Sequence, residues 1–194
     1  DFEGNPFFMK MIITGTSGFI GARILARARA IYGDGVTAFS SRRSEGSHIV
    51  YNDEPDFGLS ATQLALVEGA DIVIHAGAFI PKSGAEANQI ASCNSNITFT
   101  KKLLDLPWHN LKKVVFLSTV DVYANIDDPI SENTAAIPVS LYGMSKLYCE
   151  RMVALYAHEK GISDQVLRIG HVYGPGEEKY SKVIPKAIQN IVDG

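Results

Sequence analysis

The feature that most constrains the fold is the alternation of short apolar segments with longer amphipathic ones. Apolar runs predict strands at Lys10 to Thr14, Val36 to Phe39, Ile49 to Tyr51, Asp71 to His75, Val114 to Ser118 and Gln165 to Ile169. Helical spacing is found at Ile20 to Ile31, Ser60 to Glu68, about Ala85 to Leu106, Leu141 to Lys160 and Val183 to Val192. Short buried strands separated by helices are joined by right-handed crossovers. The sequence therefore predicts an α/β fold with a doubly wound parallel sheet.

Composition limits the classes of partner. The net charge of −3 gives no general attraction for nucleic acid, and we expect no nucleic-acid partner. No apolar run approaches the roughly 18 residues that span a bilayer, so we expect no membrane partner. The two cysteines, Cys93 and Cys149, have no metal-ligand spacing. We therefore expect free thiols in a reducing, cytoplasmic compartment and no metal site.

A glycine-rich loop joins the first predicted strand to the first helix. Gly15 suits a tight turn, Gly18 lets backbone approach a pyrophosphate, and Gly21 allows the helix to pack closely on the sheet. The helix N-terminus adds amide donors and a positive dipole end. The loop therefore predicts a dinucleotide site, and a purely structural turn is the alternative. The expected contacts are Gly15, Thr16, Ser17, Gly18, Phe19, Ile20 and Gly21.

The end of the second strand bears on which cofactor binds. An NAD site usually has a carboxylate here, which binds the ribose hydroxyls. This chain has Ser40, Ser41, Arg42 and Arg43 instead. Guanidinium groups bind phosphate in a fork, so Ser41 and Arg42 favour the 2′-phosphate of NADP. Two alternatives stay open: the serines bind the ribose of NAD, or the arginines are solvated loop charges.

A tyrosine and a lysine lie four residues apart in a predicted helix, at Tyr142 and Lys146. They share one helix face. A nearby ammonium and a positive nicotinamide would favour the phenolate and lower the pKa of Tyr142 toward that of a useful general base. The preceding strand ends in Ser118 and Thr119, where a hydroxyl can bind the substrate oxygen.

Six ordered stretches carry a family resemblance. They are Gly15 to Gly21, Asp71 to Ala78, Asn96 to Thr100, Ser118 to Tyr123, Tyr142 to Lys146, and Leu167 to Gly176. In this order they resemble the extended short-chain dehydrogenase/reductase family, the NAD-dependent epimerase/dehydratase group. The resemblance implies a Rossmann-type NAD(P)-binding domain, with Tyr142 as catalytic acid or base, Lys146 as its partner and Thr119 as the substrate-binding hydroxyl.

The resemblance also implies further cofactor contacts. Asp56 and Phe57 match the pair that contacts adenine, and Asn96 matches the helix asparagine near the active site. The remaining expected contacts are Ala76, Gly77, Ala78, Ser118, Ile169 and Val172. The chain departs from the family pattern at Phe99, Ala124 and His171, where the family usually has glycine, glycine and asparagine.

The resemblance further divides the chain. It implies the NAD(P)-binding domain over 9–180 and, over 181–194, the start of a truncated, mostly absent C-terminal substrate domain. Residues 1–8 themselves suggest an N-terminal extension before the first strand.

Three functions are consistent with these residues. The first is an NAD(P)-dependent oxidoreductase of the epimerase/dehydratase type, acting on a nucleotide sugar by hydride transfer. The second is an NADPH-dependent carbonyl reductase, which the arginines favour. The third is a non-catalytic cofactor-binding module or redox sensor. The resemblance also implies a homodimer formed by the helices near 85–106 and 141–160, with Leu103, Leu104, Leu147 and Leu155 as contact candidates.

Overall fold

The computed structural model describes residues 9–43, 45–54, 56–124, 129–176 and 183–193. Within these ranges the strands are β1 Met11–Thr14, β2 Val36–Ser40, β3 His48–Val50, β4 Ile72–His75, β5 Lys113–Thr119 and β6 Ser163–Ile169. The α-helices are α1 Phe19–Tyr32, α2 Ala61–Glu68, α3 Ile90–Leu104, α4 Leu141–Lys160 and α5 Val183–Asp193. The predicted extension at residues 1–8 lies outside the described ranges.

The strands form one parallel sheet in the order β3-β2-β1-β4-β5-β6. This is the doubly wound Rossmann arrangement, and the predicted fold is confirmed. The strand order reverses between β1 and β4, where the two crossovers leave toward opposite faces. The carboxyl ends of these two strands therefore border a crevice, which is where open α/β sheets bind ligands.

Strands β1, β2 and β4 supply both halves of the core because side chains alternate between the two faces of a sheet. In β1, Ile12 packs in a cluster with Phe116 and the α4 residue Val153. Its neighbours Met11 and Ile13 pack on the opposite face in a cluster with Leu25 of α1. Helix α1 therefore covers one face of the sheet, while α2, α3 and α4 contribute to the core on the other.

Helix ends follow from local capping. Ser60 and Gln63 form a reciprocal capping box at the start of α2. Ser140 accepts a hydrogen bond from the Gly143 amide at 3.0 Å and so caps α4. Helix α4 ends at Gly161, which adopts the left-handed conformation with φ of 64°. The predicted bounds of α4 agree with the structure.

The predicted long helix from Ala85 is wrong at its beginning. Residues Glu86–Asn88 form a 3₁₀ turn, and Gln89 is extended with ψ of 110°, so α3 begins only at Ile90. The Asn88 side chain accepts a hydrogen bond from the Leu141 amide at 3.2 Å, which ties the turn to the start of α4. The segment before Ile90 thus makes a tertiary contact where the sequence predicted continued helix.

Two of the four leucines expected at a dimer interface are in the core instead. Leu103 is 1% and Leu104 is 9% exposed, and both pack in the core cluster beneath α3. Leu147 is half-buried, whereas Leu155 is 63% exposed. The contribution of Leu103 and Leu104 to a dimer contact is therefore excluded by their burial.

Candidate functional site

The glycine loop after β1 packs against the loop after β4. Gly15 has φ of 70°, and a Cβ there would lie 2.6 Å from the carbonyl carbon of Ala76. A Cβ at Gly21 would lie 2.2 Å from the Gly15 carbonyl oxygen. Both contacts are too short for any side chain, so these two positions require glycine. The turn, the helix and the neighbouring loop are consequently held in close contact.

The N-terminus of α1 is left open by the same loop. Its N-cap, Gly18, provides no side-chain cap, and the first turn contains no acidic residue. The amide of Ala22 makes a bond to the Gly18 carbonyl at 3.0 Å, so the helical hydrogen bonds begin with this pair. Such an end binds anions, so the residues present fit the pyrophosphate of a dinucleotide.

Access to this helix end differs along the loop. Thr16 is 7% exposed and Gly21 is buried, so both support the loop from inside. Ser17 is exposed, and Gly18, Phe19 and Ile20 are half-buried. The half-buried and exposed positions are those at which a ligand can approach the backbone.

The loop after β4 is held in place by hydrogen bonds to the Thr14 side chain at the end of β1. Its hydroxyl oxygen accepts hydrogen bonds from the amides of Ala76 at 3.1 Å and Gly77 at 2.9 Å. Ala78 follows as an exposed residue. The structure thus brings the three expected loop residues to the crevice, beside the glycine loop.

Phe57 does not present its ring to a ligand. The ring is 1% exposed and lies among Phe39, Tyr51 and Phe99, with centroid distances of 5.2, 5.3 and 5.3 Å. The ring therefore belongs to the core, and the expected contact of Phe57 with adenine stays a prediction that falls to its backbone. Asp56 is exposed, and its carboxylate accepts a hydrogen bond from the Gly58 amide at 3.0 Å.

The end of β2 is ordered by its serines. The Ser40 hydroxyl lies 3.2 Å from the His48 Nε2 atom and bonds with the backbone of Arg42. The Ser41 side chain lies close enough to Tyr51 to act on the pKa of its phenol. Arg42 and Arg43 are both exposed, and Arg43 lines a separate cavity of about 700 Å³ together with His48. Of the two arginines, Arg42 is thus the one outside that cavity.

The catalytic candidates converge where β5 ends against α4. Thr119 is 7% and Tyr142 is 6% exposed, and the Thr119 side chain lies close enough to the phenol to act on its pKa. The Thr119 hydroxyl also lies 2.9 Å from a carboxylate oxygen of Asp121 and accepts a bond from the Asp121 amide. The phenol, the hydroxyl and a carboxylate therefore lie together.

The Tyr142 phenol lies in surroundings that favour its neutral form. Burial raises its pKa to about 12, and the negative charge of Asp121 acts in the same direction, while the Thr119 side chain opposes both. The expected lowering of this pKa by Lys146 and a bound nicotinamide together stays a prediction. A buried phenol beside a carboxylate stays protonated at neutral pH.

Lys146 is turned toward the sheet. Its ammonium donates a hydrogen bond to the Leu117 carbonyl at 2.6 Å and lies 4.2 Å from the centre of the Phe116 ring. Lys146 is 3% exposed, and burial lowers its pKa to about 8. In this structure the ammonium therefore bonds to the strand that precedes the site.

A cleft of about 560 Å³ opens beside Tyr142. Its walls include Asp121 and Tyr123 from the turn after β5, and Lys82 from the loop after β4. This cleft brings charged and hydroxyl groups to the phenol. The arrangement can bind a polar molecule and move a proton at the phenolic oxygen.

Several remaining candidates lie at the same sheet edge. Ser118 is 5% exposed, and its hydroxyl has no hydrogen-bond partner among the described residues. Ile169 ends β6 opposite Thr119, and Val172 follows at half-buried exposure. Asn96 is 3% exposed and bonds to both backbone groups of Phe79, so its side chain is in contact with the loop after β4.

The sequence analysis missed a buried ion pair behind the site. Arg168 binds Glu150 through two bonds of 3.0 and 2.8 Å, and it donates a third, of 2.7 Å, to the Tyr123 hydroxyl. Glu150 follows Lys146 by four residues, so helical spacing was a signal for its inward position.

It also missed the close contact of α4 with the turn after β5. A Cβ at Gly143 would lie 2.1 Å from the Asp121 carbonyl oxygen. Glycine at this position therefore lets Tyr142 approach Thr119.

No group of three or more histidine, cysteine or acidic side chains in the described ranges is placed to hold a metal ion. No helix in the described part of the chain combines the length and apolar character needed to cross a bilayer.

Comparison with known proteins agrees with this geometry. Residues 11–194 match the family model described as the NAD dependent epimerase/dehydratase family. An uncharacterized UDP-glucose epimerase of Bacillus subtilis is 30% identical over 182 residues, covering 86% of this chain and 58% of the relative. A dTDP-glucose 4,6-dehydratase of Mycolicibacterium smegmatis is 27% identical, covering 96% and 60%. The chain thus spans less than two thirds of these relatives.

Solved structures show the same arrangement. The UDP-N-acetylglucosamine 4-epimerase of Methanobrevibacter ruminantium, in complex with UDP-N-acetylmuramic acid, superposes with a TM-score of 0.75 at 26% identity, covering 96% of this chain and 63% of that one. The UDP-glucuronic acid 4-epimerase of Bacillus cereus, in complex with NAD, gives a TM-score of 0.67 at 27% identity, covering 86% and 58%. The chain belongs to the NAD-dependent epimerase/dehydratase family.

Proposed function

We propose that the protein is an NAD(P)-dependent epimerase or dehydratase that acts on a nucleotide sugar. The observation that carries the proposal is the junction of Thr119, Asp121 and Tyr142 at the same sheet edge as the uncapped helix α1. The relatives support the substrate class, since their names include a UDP-glucose epimerase and a dTDP-glucose dehydratase.

The proposed roles follow from the contacts. The nicotinamide, when bound, supplies a hydride acceptor and donor. Thr119 binds the substrate oxygen, and Tyr142 exchanges a proton with it. Since burial keeps the phenol protonated, Tyr142 needs added positive charge nearby before it acts as a base. Lys146 provides that charge if its ammonium leaves the Leu117 carbonyl.

The products of candidate substrates test this function. Incubation with UDP-glucose, UDP-N-acetylglucosamine and dTDP-glucose is expected to give an epimer or a dehydrated sugar. The amount of oxidised cofactor and the amount of reduced cofactor should each stay constant. Net consumption of NADPH with a carbonyl compound would instead favour the reductase alternative. Cofactor binding with no conversion of any sugar or carbonyl substrate would favour the sensor alternative.

For cofactor choice, we propose that NADP binds at least several-fold more tightly than NAD. The support is that Arg42 is exposed beside Ser40 and Ser41 and forms no ion pair with any described residue. The NAD complex among the related structures is the argument for NAD. A charge-assisted bond changes affinity by about tenfold to a hundredfold.

The matching prediction is that Arg42→Ala removes most of the preference for NADP. Arg43→Ala is the control, because that side chain lines the separate cavity. Calorimetric titration of both cofactors measures the two affinities in each variant. Equal or tighter binding of NAD by the unmodified chain would contradict the preference.

For assembly and location, we propose a homodimer in the cytoplasm. Met144, Tyr148 and Leu155 are 49%, 56% and 63% exposed on α4, and a monomer seldom leaves such a stripe in water. Sedimentation is expected to show a dimer, and a monomer at high concentration would contradict it. Both cysteines are free and buried, which is compatible with a reducing compartment.

A further inference from the structure

A chain of buried side-chain hydrogen bonds runs beneath the loop after β4. The Thr14 hydroxyl lies 2.9 Å from Nδ1 of His75, and Nε2 of His75 lies 2.9 Å from the Thr100 hydroxyl. Thr14, His75 and Thr100 are 0%, 2% and 1% exposed. The chain therefore links β1, β4 and α3 in a region that water does not reach.

The direction of the hydrogen bonds follows from the number of acceptor sites. A hydroxyl has two lone pairs and one proton. Thr14 uses its lone pairs for the amides of Ala76 and Gly77, so its proton goes to Nδ1 of His75. The imidazole consequently has its own proton on Nε2 and donates it to Thr100. Among its protonation states, only this neutral tautomer satisfies every group.

The surroundings keep the imidazole neutral. The rings of Phe99 and Phe116 lie 5.4 and 5.3 Å from the His75 ring. Burial lowers the pKa of His75 to about 3, and the Lys146 charge acts in the same direction. The histidine is therefore a fixed hydrogen-bonding element rather than an acid or base at neutral pH.

The same loop is held at its other end by α3. Asn96 lies one turn before Thr100, accepts a bond from the Phe79 amide at 2.7 Å and donates to the Phe79 carbonyl at 3.3 Å. Gly15 packs on Ala76 without room for a Cβ, so a displacement of the loop would also displace the glycine loop.

We propose that His75 and Thr100 are positioning residues for the dinucleotide, which fix the Thr14 hydroxyl and through it the backbone of Ala76 and Gly77. The proposal rests on the proposed function, since it assumes that the dinucleotide lies along this loop. Neither side chain touches the ligand, and both act through Thr14.

Thr100→Val tests the proposal with little change in shape. Valine leaves the His75 Nε2–H without an acceptor. If that proton moved to Nδ1, it would face the Thr14 hydroxyl, whose oxygen already accepts hydrogen bonds from two amides and has no lone pair left for a third. We expect NADH and NADPH, titrated by fluorescence, to bind about three- to tenfold more weakly. Thr100→Ser restores the hydroxyl and should restore affinity, and Thr98→Val, at an exposed position of the same helix, should change nothing.

Nuclear magnetic resonance separates the possible failures. We expect His75 to show an Nε2-bound proton and no titration between about pH 5 and 8, and Thr100→Val to shift the Ala76 and Gly77 amides. Unchanged amides would overturn the proposed chain. Shifted amides with unchanged affinity, measured on folded protein, would reduce Thr100 to a structural role and overturn the positioning. If the unmodified chain binds neither cofactor, the proposed function itself fails, and the positioning role with it.

Discussion

Replacement of Tyr142 by phenylalanine is expected to lower turnover by about 10²–10⁴-fold and leave dinucleotide affinity nearly unchanged. The change removes the hydroxyl that lies beside Thr119 and exchanges a proton in the proposed reaction. It removes little contact area, because the ring remains. Initial rates with a nucleotide-sugar substrate and a cofactor titration measure the two effects separately.

Tyr148→Phe is the matched control for this prediction. It removes a hydroxyl from the same helix at a position that is 56% exposed, so turnover should stay the same. If Tyr142→Phe turns over substrate as fast as the unmodified protein, Tyr142 has no part in the chemistry.

Removal of Arg168 is expected to produce the largest loss of stability. Its side chain is 23% exposed and that of Glu150 only 6%, so Arg168→Met leaves a carboxylate buried without its partner. Breaking such a pair costs about 3–5 kcal/mol in the free energy of unfolding. Glu150→Met should cost less, because the more exposed guanidinium can reach water. Urea denaturation measures both values.

The double variant distinguishes the pair from simple loss of packing. With both charges replaced by methionine, no buried charge is left without a partner, and much of the stability should return. Losses in the double variant equal to the sum of the two single losses would show that the residues do not interact.

The alternation of apolar and helical segments was enough to predict the strands of the sheet and the bounds of four helices closely. Helix α4 was predicted at its observed bounds because Ser140 and Gly161 are local capping signals. The beginning of α3 was mispredicted because Asn88 bonds to the distant Leu141 amide. Helical spacing has no information about such a contact.

In the candidate site, too, local motifs were predicted from the sequence, whereas features that depend on tertiary contacts were not. Tyr142 and Thr119 were recognised from short motifs, and the structure brings them together. The orientation of Lys146 depends on the Leu117 carbonyl, which lies on another element. Leu103 and Leu104 were misassigned because apolar residues suit a core or a partner surface equally well, and only packing distinguishes these.

The central claim is that a nicotinamide dinucleotide binds at the N-terminus of α1, and calorimetric titration of NAD and NADP tests it most directly. We expect saturable binding to the unmodified chain and loss of binding in Gly18→Asp. A Cβ at Gly18 meets only the Gly15 carbonyl, at 3.3 Å, so the variant should fold, but its carboxylate would repel the pyrophosphate. Ala26→Asp, with the same charge at an exposed position farther along α1, should bind normally. Absence of binding of either cofactor to the unmodified chain, or equal binding to Gly18→Asp, would contradict the account.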